Sequence, residues 1–202
     1  MPITQESTIL YIKEKEQYAT IVAALAETID KRDILIGCHS KAVQKYSLMI
    51  GEYLKLSEKD RIRLEFSSIL HDIGKIGIPD KVLKKSSSLT VEEFETMKEH
   101  PLFGVDILRH IPALEDIIPG IRHHHEYYDG TGYPDGLKGK DIDIIARIIA
   151  IADAFDVMVS GRVYQTKVSY SDALGEMQRC SGSQFDPDIA GLFVQSFPYC
   201  LY

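Results

Sequence analysis

His39, the adjacent pair His71-Asp72, His100, the adjacent pair His124-His125 and Asp153 are the side chains of this sequence best suited to hold a metal ion. Five of the chain's 7 histidines fall in this set, and His110 and His123 stand outside it. Imidazole binds Zn, Fe, Mn or Ni, and carboxylate adds charge and bridging capacity, so the mixture suits a first-row transition metal. The set is too large for one ion that keeps an open position. It is about right for two ions that share a carboxylate, which is a hydrolytic arrangement. Asp153 lies inside the apolar stretch RIIAIADAFDVM. A free carboxylate is heavily penalised there unless it is paired or metal-bound. Pairing with Arg147 or capping of a neighbouring helix would also satisfy it. Asp156, near the same helix face, can support a ligand through a hydrogen bond.

The elements that must position these residues are helical nearly throughout. A first segment, about 7–33, carries Tyr11, Tyr18, Val22, Leu25 and Ile29 in a coiled-coil-like stripe with Lys15 on its seam. A second helix follows Gly37, carries His39, and sets Val43, Tyr46, Ile50 and Leu54 on one face. A third begins after Ser57, buries Ile62, Phe66, Ile69, Leu70 and Ile73, and ends at His71-Asp72, where Gly74 and Gly77 break it. Thr90 with Glu93 forms a capping box, and Pro101 opens another helix just after His100. A helix near 113–125 is expected to deliver His124-His125 into the turn-rich loop DGTGYPDGLKG. The segment Ile142–Val159 is apolar almost all round, as a central buried helix would be. Asp186-Pro187 reads as the cap and first residue of a last helix. No alternating strand pattern of useful length appears, so the expected fold is all-α.

Bulk properties narrow the setting. A chain of 202 residues that is 45% hydrophobic can bury one substantial core, which predicts one domain plus an extension. Cys38, Cys180 and Cys200 are widely spaced and form no C-x-x-C pair, which points to a reducing, cytoplasmic setting rather than a disulfide framework. No apolar run reaches about 18 residues, and no basic-then-apolar leader is present, so neither a membrane span nor a signal peptide is expected. A net charge of −7 argues against a DNA or RNA groove, which depends on neutralising many phosphates. A small anionic ligand remains compatible, because metals and a few arginines can make a locally positive site.

HDIGKIGIP at 71–79 together with HHEYYDGTGYP at 124–134 resembles the HD-GYP family, the hydrolytic branch of the HD superfamily that acts on cyclic di-GMP. The likeness continues through MKEHPLFG at 97–104, DGLKGKDI at 135–142 and ARIIAIADAFD at 146–156, and covers roughly 33–195. It implies an HD-type helical bundle over 34–202, preceded by an amino-terminal extension helix over 1–33 that serves as linker or dimerisation element. It also implies ligand roles for His39, His71, Asp72, His100, His124, His125 and Asp153, with Asp72 as the bridge. Lys75 resembles the family's HDxGK lysine and would contact the attacking water or the phosphate, or assist proton transfer. The bland alternative is a surface lysine. Tyr133 of the GYP motif would contact the ligand or anchor its loop. Glu126 and Asp129 would brace that loop, and Gly130 and Gly132 would permit its backbone angles. Arg162 corresponds to an arginine that reaches a nucleotide phosphate.

Two departures qualify the resemblance. Some members supply a third metal through a glutamate four residues before the first histidine, where this chain has Leu35, so two divalent ions are expected, iron or manganese ahead of nickel or zinc. The family's basic run after the buried aspartate reads Gly161-Arg162-Val163-Tyr164-Gln165-Thr166 here, which predicts a thinner grip on substrate phosphates. The leading expectation is a cyclic di-GMP phosphodiesterase that releases linear pGpG and onward GMP. The alternatives are a phosphodiesterase for cyclic GMP-AMP or another phosphate ester, and a catalytically weak module that binds a cyclic dinucleotide or a partner protein. The amino-terminal stripe predicts either a parallel homodimer or packing back onto the core.

Overall fold

The computed structural model describes residues 20, 22–28, 39–161 and 167–197. Tyr11, Tyr18, Ile29, Leu35, Arg162, Gln165 and Thr166 lie outside the described residues, and with them the expectations for a third ligand and for the altered basic run. Nine α-helices are delimited among the described residues: α1 (His39–Tyr53), α2 (Glu58–Leu70), α3 (Asp80–Leu83), α4 (Val91–Met97), α5 (His100–Leu108), α6 (Ile118–Arg122), α7 (Ile144–Ser160), α8 (Tyr170–Arg179) and α9 (Pro187–Ser196). Short 3-10 turns cover Ile73–Gly77, Pro112–Ile117 and Gly139–Asp141. The single β feature among these residues is an isolated bridge between Ser181 and Phe185. The fold is all-α, as expected.

Helix starts are set by local chemistry. Ser57, Asp143, Ser169 and Asp186 each accept a backbone N–H of the first turn, and Thr90 and Glu93 form the reciprocal capping box. The helix expected near 113–125 takes a different form. It divides into a 3-10 turn that opens at Pro112 and the short α6, whose second residue is Pro119. A proline lacks the N–H that a continuous helix would need at that position.

The main core gathers α1, α2, α7, α8 and α9 around Val43, Ile50, Leu64, Ile148, Phe155 and Phe193. Phe155 of α7 makes edge-on contacts with Tyr46, Phe193 and Phe197. Truncating such a residue costs about 3–5 kcal/mol. A second core joins the end of α2 to the turns and helices that follow it, through Leu70, Ile73, Leu108, Leu114 and Ile121. Val22 and Ala26, in the helical stretch 22–28, are buried in that second core, with Leu25 packed against it. This part of the amino-terminal stripe therefore packs back onto the bundle. Gly74 lets the 3-10 turn lie against α5, since a Cβ there would sit 1.8 Å from the His100 carbonyl oxygen.

Candidate metal centre

Adjacent residues of a helix point about 100° apart, so two neighbours share a cavity only where the backbone changes direction. His71 caps the end of α2, and Asp72 follows at φ −95°, ψ 6°, where the helix gives way to the 3-10 turn. His71 Nε2 consequently approaches Asp72 Oδ2 at 3.3 Å. The second pair follows the same logic: α6 ends at Arg122, His123 caps it at φ −110°, ψ 10°, and His124-His125 lie just beyond. His39 opens α1, His100 opens α5, and Asp153 projects from the middle of α7.

These side chains meet in two groups. His39, His71 and Asp72 form one, and His100, His124 and His125 form the other, with ligand-type atoms in each lying within 4.8 Å of one another. Asp72 faces both. Its Oδ1 lies 3.3 Å from His100 Nε2, while Oδ2 lies 3.3 Å from His71 Nε2 and 3.8 Å from His39 Nε2. Asp153 joins the first group through Oδ1, 3.1 Å from His39 Nε2. Arg147, the alternative partner for Asp153, instead reaches Asp186 Oδ2 at 2.5 Å and the Ile142 carbonyl.

The outer nitrogens of the rings are fixed by backbone. His71 Nδ1 donates to the Ser68 carbonyl at 2.8 Å, His100 Nδ1 to Met97 at 2.8 Å, and His124 Nδ1 to Ile121 at 2.7 Å. A carbonyl only accepts, so Nδ1 carries a proton in each ring, and in the neutral tautomer Nε2 presents a lone pair inward. His39 Nδ1 faces Asp156 Oδ2 at 2.6 Å, the supporting hydrogen bond expected of Asp156. His39 Nε2, His71 Nε2 and Asp153 Oδ1 are buried without a hydrogen bond of good geometry, although His39 and Asp153 are close. The Nε2 atoms of His100 and His124 converge at 3.2 Å. Buried lone pairs directed at one another are costly unless a cation lies among them. Orphaned inner atoms with tethered outer atoms are the arrangement that metal-binding histidines adopt, so these residues fit transition-metal ions.

Burial pulls His100 down to about 4 and His125 to about 3, and holds His124 well below its ordinary value, so these rings are neutral at pH 7. His39 goes the other way. Burial alone would lower it, but the adjacent carboxylates of Asp153 and Asp156 and the charge of Asp72 outweigh burial and push it up to about 9. Burial also opposes ionisation of Asp72, yet Lys75, His71 and His100 hold it well below the usual carboxylate range. Asp153 is likewise held low against its burial by His39 and His71.

Lys75 is buried rather than on the surface, and its Nζ donates to Asp72 Oδ2 at 2.7 Å. Tyr133 stacks on His125, with ring centroids 4.9 Å apart and an interplanar angle of 28°. Its loop is held by Glu126, which accepts from the backbone N–H groups of Asp135, Gly136 and Leu137, and by Asp129, which accepts from Thr131 N and Oγ1. Gly130 has φ +89°, a left-handed conformation that favours glycine. Gly132 is required for a different reason than expected: its Cβ would lie 2.2 Å from Tyr127 N, so close approach rather than a special angle excludes other residues. His110 is exposed, and His123 binds Asp135 Oδ2 at 2.8 Å beside Arg122. Neither belongs to the cluster.

The contribution of α8 to the site was not anticipated from the sequence. A cavity of about 360 Å³ opens beside His124, His125 and Asp153, and α8 with the turn after it lines another part of it. The signal for α8 was present, since Ser169 is followed three residues later by Asp172 and then by buried Ala173 and Met177. Nothing in those residues announces which way they face.

A family model described as "HD domain" matches residues 23–189. The "Cyclic di-GMP phosphodiesterase" of Thermotoga maritima is 40% identical over 81% of this chain and 45% of its own length. The "3'3'-cGAMP-specific phosphodiesterase 2" of Vibrio cholerae is 33% identical over 96% of this chain and 37% of its own length. The crystal structure of a cyclic GMP-AMP specific phosphodiesterase of V. cholerae superposes with a TM-score of 0.70 at 24% identity, over 88% of this chain and 48% of that one. The chain thus spans less than half the length of these relatives. It belongs to the HD domain family, with the HD-GYP motifs described above.

Proposed function

We propose that this domain is a metal-dependent phosphodiesterase for cyclic dinucleotides, with cyclic di-GMP as the leading substrate and linear pGpG as the product. One observation carries the reading: Asp72 presents one oxygen to each of two histidine groups, beside a cavity lined by His124 and His125 of one and by Asp153 of the other. His39, His71 and Asp153 would hold one divalent ion and His100, His124 and His125 the other, with Asp72 shared. Imidazole-carboxylate sites accept iron, manganese, nickel and zinc alike, so the donor set itself does not choose among them. Two such ions, when bound, supply Lewis acidity that activates water and offsets phosphate charge.

The chain's own residues do the rest. Asp156 and the carbonyls of Ser68, Met97 and Ile121 orient the rings before any substrate arrives. Lys75, ion-paired with the shared carboxylate, holds a proton on Nζ beside the centre and can pass it to the departing oxygen of the ester. Tyr133 lines the cavity against His125 and excludes water from that side. Arg162, by the family resemblance, would reach a substrate phosphate.

The test is hydrolysis of labelled cyclic di-GMP by anaerobically prepared, iron- or manganese-loaded protein. Appearance of linear pGpG is expected, and failure to cleave any phosphodiester under those conditions would overturn the reading. A second reading within the same chemistry, cyclic GMP-AMP as substrate, draws on the V. cholerae relative and on Gln165 and Thr166 in place of basic residues. The same assay run with both dinucleotides separates the two.

A further inference from the structure

The cavity beside the metal centre is lined on one part by His125, Asp153 and Tyr127, and on another by Met177, Glu176 and Gln184 of α8 and the turn that follows. At about 360 Å³ it lies at the small end of ligand pockets, a size for one nucleotide of a dinucleotide rather than the whole. Its surface combines aromatic and thioether side chains with a few polar groups, as a slot for a flat heterocycle would.

Two of those polar groups come from outside the metal centre. Gln184 is anchored through its backbone: its carbonyl accepts from Tyr128 N, and its N–H donates to the Cys180 carbonyl, both at 3.1 Å. Its side-chain amide makes no hydrogen bond among the described residues, although it lines the cavity. Glu176 is braced by Arg179, whose Nε donates to Oε2 at 2.8 Å and whose Nη2 reaches Oε1, and by Cys180, whose Sγ donates to Oε1 at 3.4 Å. A carboxylate accepts at about four lone-pair positions, so a further donor can still be received. Its pairing with Arg179 is solvent-facing and weak enough to yield to a ligand.

We propose that this cavity is a purine slot in which Glu176 selects guanine over adenine. Guanine shows an acceptor at O6 and donors at N1 and N2, whereas adenine shows a donor at N6 and a bare acceptor at N1. An ionised carboxylate only accepts, so Glu176 matches the two guanine donors and opposes the adenine N1 lone pair. Gln184 carries both an acceptor and a donor, so it can serve O6 of guanine or, turned over, N6 of adenine. Discrimination therefore falls on Glu176. This inference deepens the functional reading above and rests on it for the substrate class.

The test is binding of GMP and AMP to the manganese-loaded protein by calorimetry, with the Glu176→Gln and Gln184→Ala variants alongside and folding checked by circular dichroism. The phosphate and the metals are common to both ligands, so the ratio of affinities reports the base alone. GMP is expected to bind roughly ten- to a hundred-fold more tightly than AMP, the worth of charge-assisted hydrogen bonds. Glu176→Gln should bring the ratio close to one, while Gln184→Ala should weaken both nucleotides and leave the ratio largely standing. Equal affinities in the unaltered protein, or a preference that survives a folded Glu176→Gln, would overturn the slot. Hydrolysis of bis(p-nitrophenyl) phosphate is measured separately. Its absence counts against the phosphodiesterase reading and not against the base preference.

Discussion

The two sides of the centre, one of histidines and one of histidines with carboxylates, carry opposite charge logic. Around His100, His124 and His125 three imidazoles crowd together, the first two buried and His125 at the cavity wall, and desolvation holds all of them neutral. Around His39 the carboxylates of Asp72, Asp153 and Asp156 surround one imidazole and make it a strong base. The first side offers lone pairs with little charge, and the second offers charge that demands compensation. Asp72 joins them, and Lys75 adds a fixed positive charge at the join. A cation serves each side for a different reason: it relieves lone-pair crowding on one and replaces a proton on the other.

The strongest way to break this division is to remove what the sides share. Asp72→Ala is expected to lose both ions and reduce hydrolysis to background, because neither histidine group keeps a carboxylate from the bridge. Elemental analysis of the purified variant checks it, and retention of two ions would show that the sides are independent of Asp72.

How much of this was legible in the sequence follows the same division. His71-Asp72 and His124-His125 could be placed because each pair sits where apolar periodicity stops and turn residues begin, and the local backbone alone decides their direction. Asp153 could be placed because an apolar helix penalises a carboxylate unless it is paired or metal-bound, and six further ligand-type residues accompany it. The charge of His39 was not legible: it depends on Asp156 meeting it from α7, 117 positions away in sequence. Nor was the depth of Lys75, which a five-residue 3-10 turn folds inward onto Asp72. The cavity wall from α8 stayed hidden for the same reason, since tertiary packing rather than periodicity turns Glu176 and Gln184 toward the centre.

A gentler break takes one ligand from each side. His125→Ala and Asp153→Ala are each expected to lower metal content from two ions to one and to cut turnover severely. Loss of both ions from either variant would mean that the sides bind as a unit. Lys75→Ala removes no proposed ligand, only the ion pair that Lys75 makes with Asp72. It should keep its metal while slowing hydrolysis roughly 10²–10⁴-fold, the usual range for a positioned acid–base group. Full activity, or loss of metal, would remove Lys75 from that role.

The smallest effect is the most direct reading of the charge difference, and it is measured on protein stripped of metal by a chelator. His39 titrates near 9 in the folded chain against an ordinary 6.5, so folding binds its proton more tightly. The stabilisation this gives is complete below pH 6.5, fades as pH rises, and is gone above about 9. His100 and His125, held near 4 and 3, act in the opposite direction: as pH falls below 6.5 the unfolded chain takes up protons that the folded chain refuses, and stability declines. Each flank is worth on the order of a few kcal/mol. The stripped protein should therefore be most stable near pH 6.5, as read by urea unfolding at a series of pH values on either side. His39→Gln should flatten the alkaline flank alone, and His125→Gln should soften the acid flank alone. If both substitutions altered the same flank, the two sides would share one electrostatic environment, and the distinction between a lone-pair site and a charge site would fail.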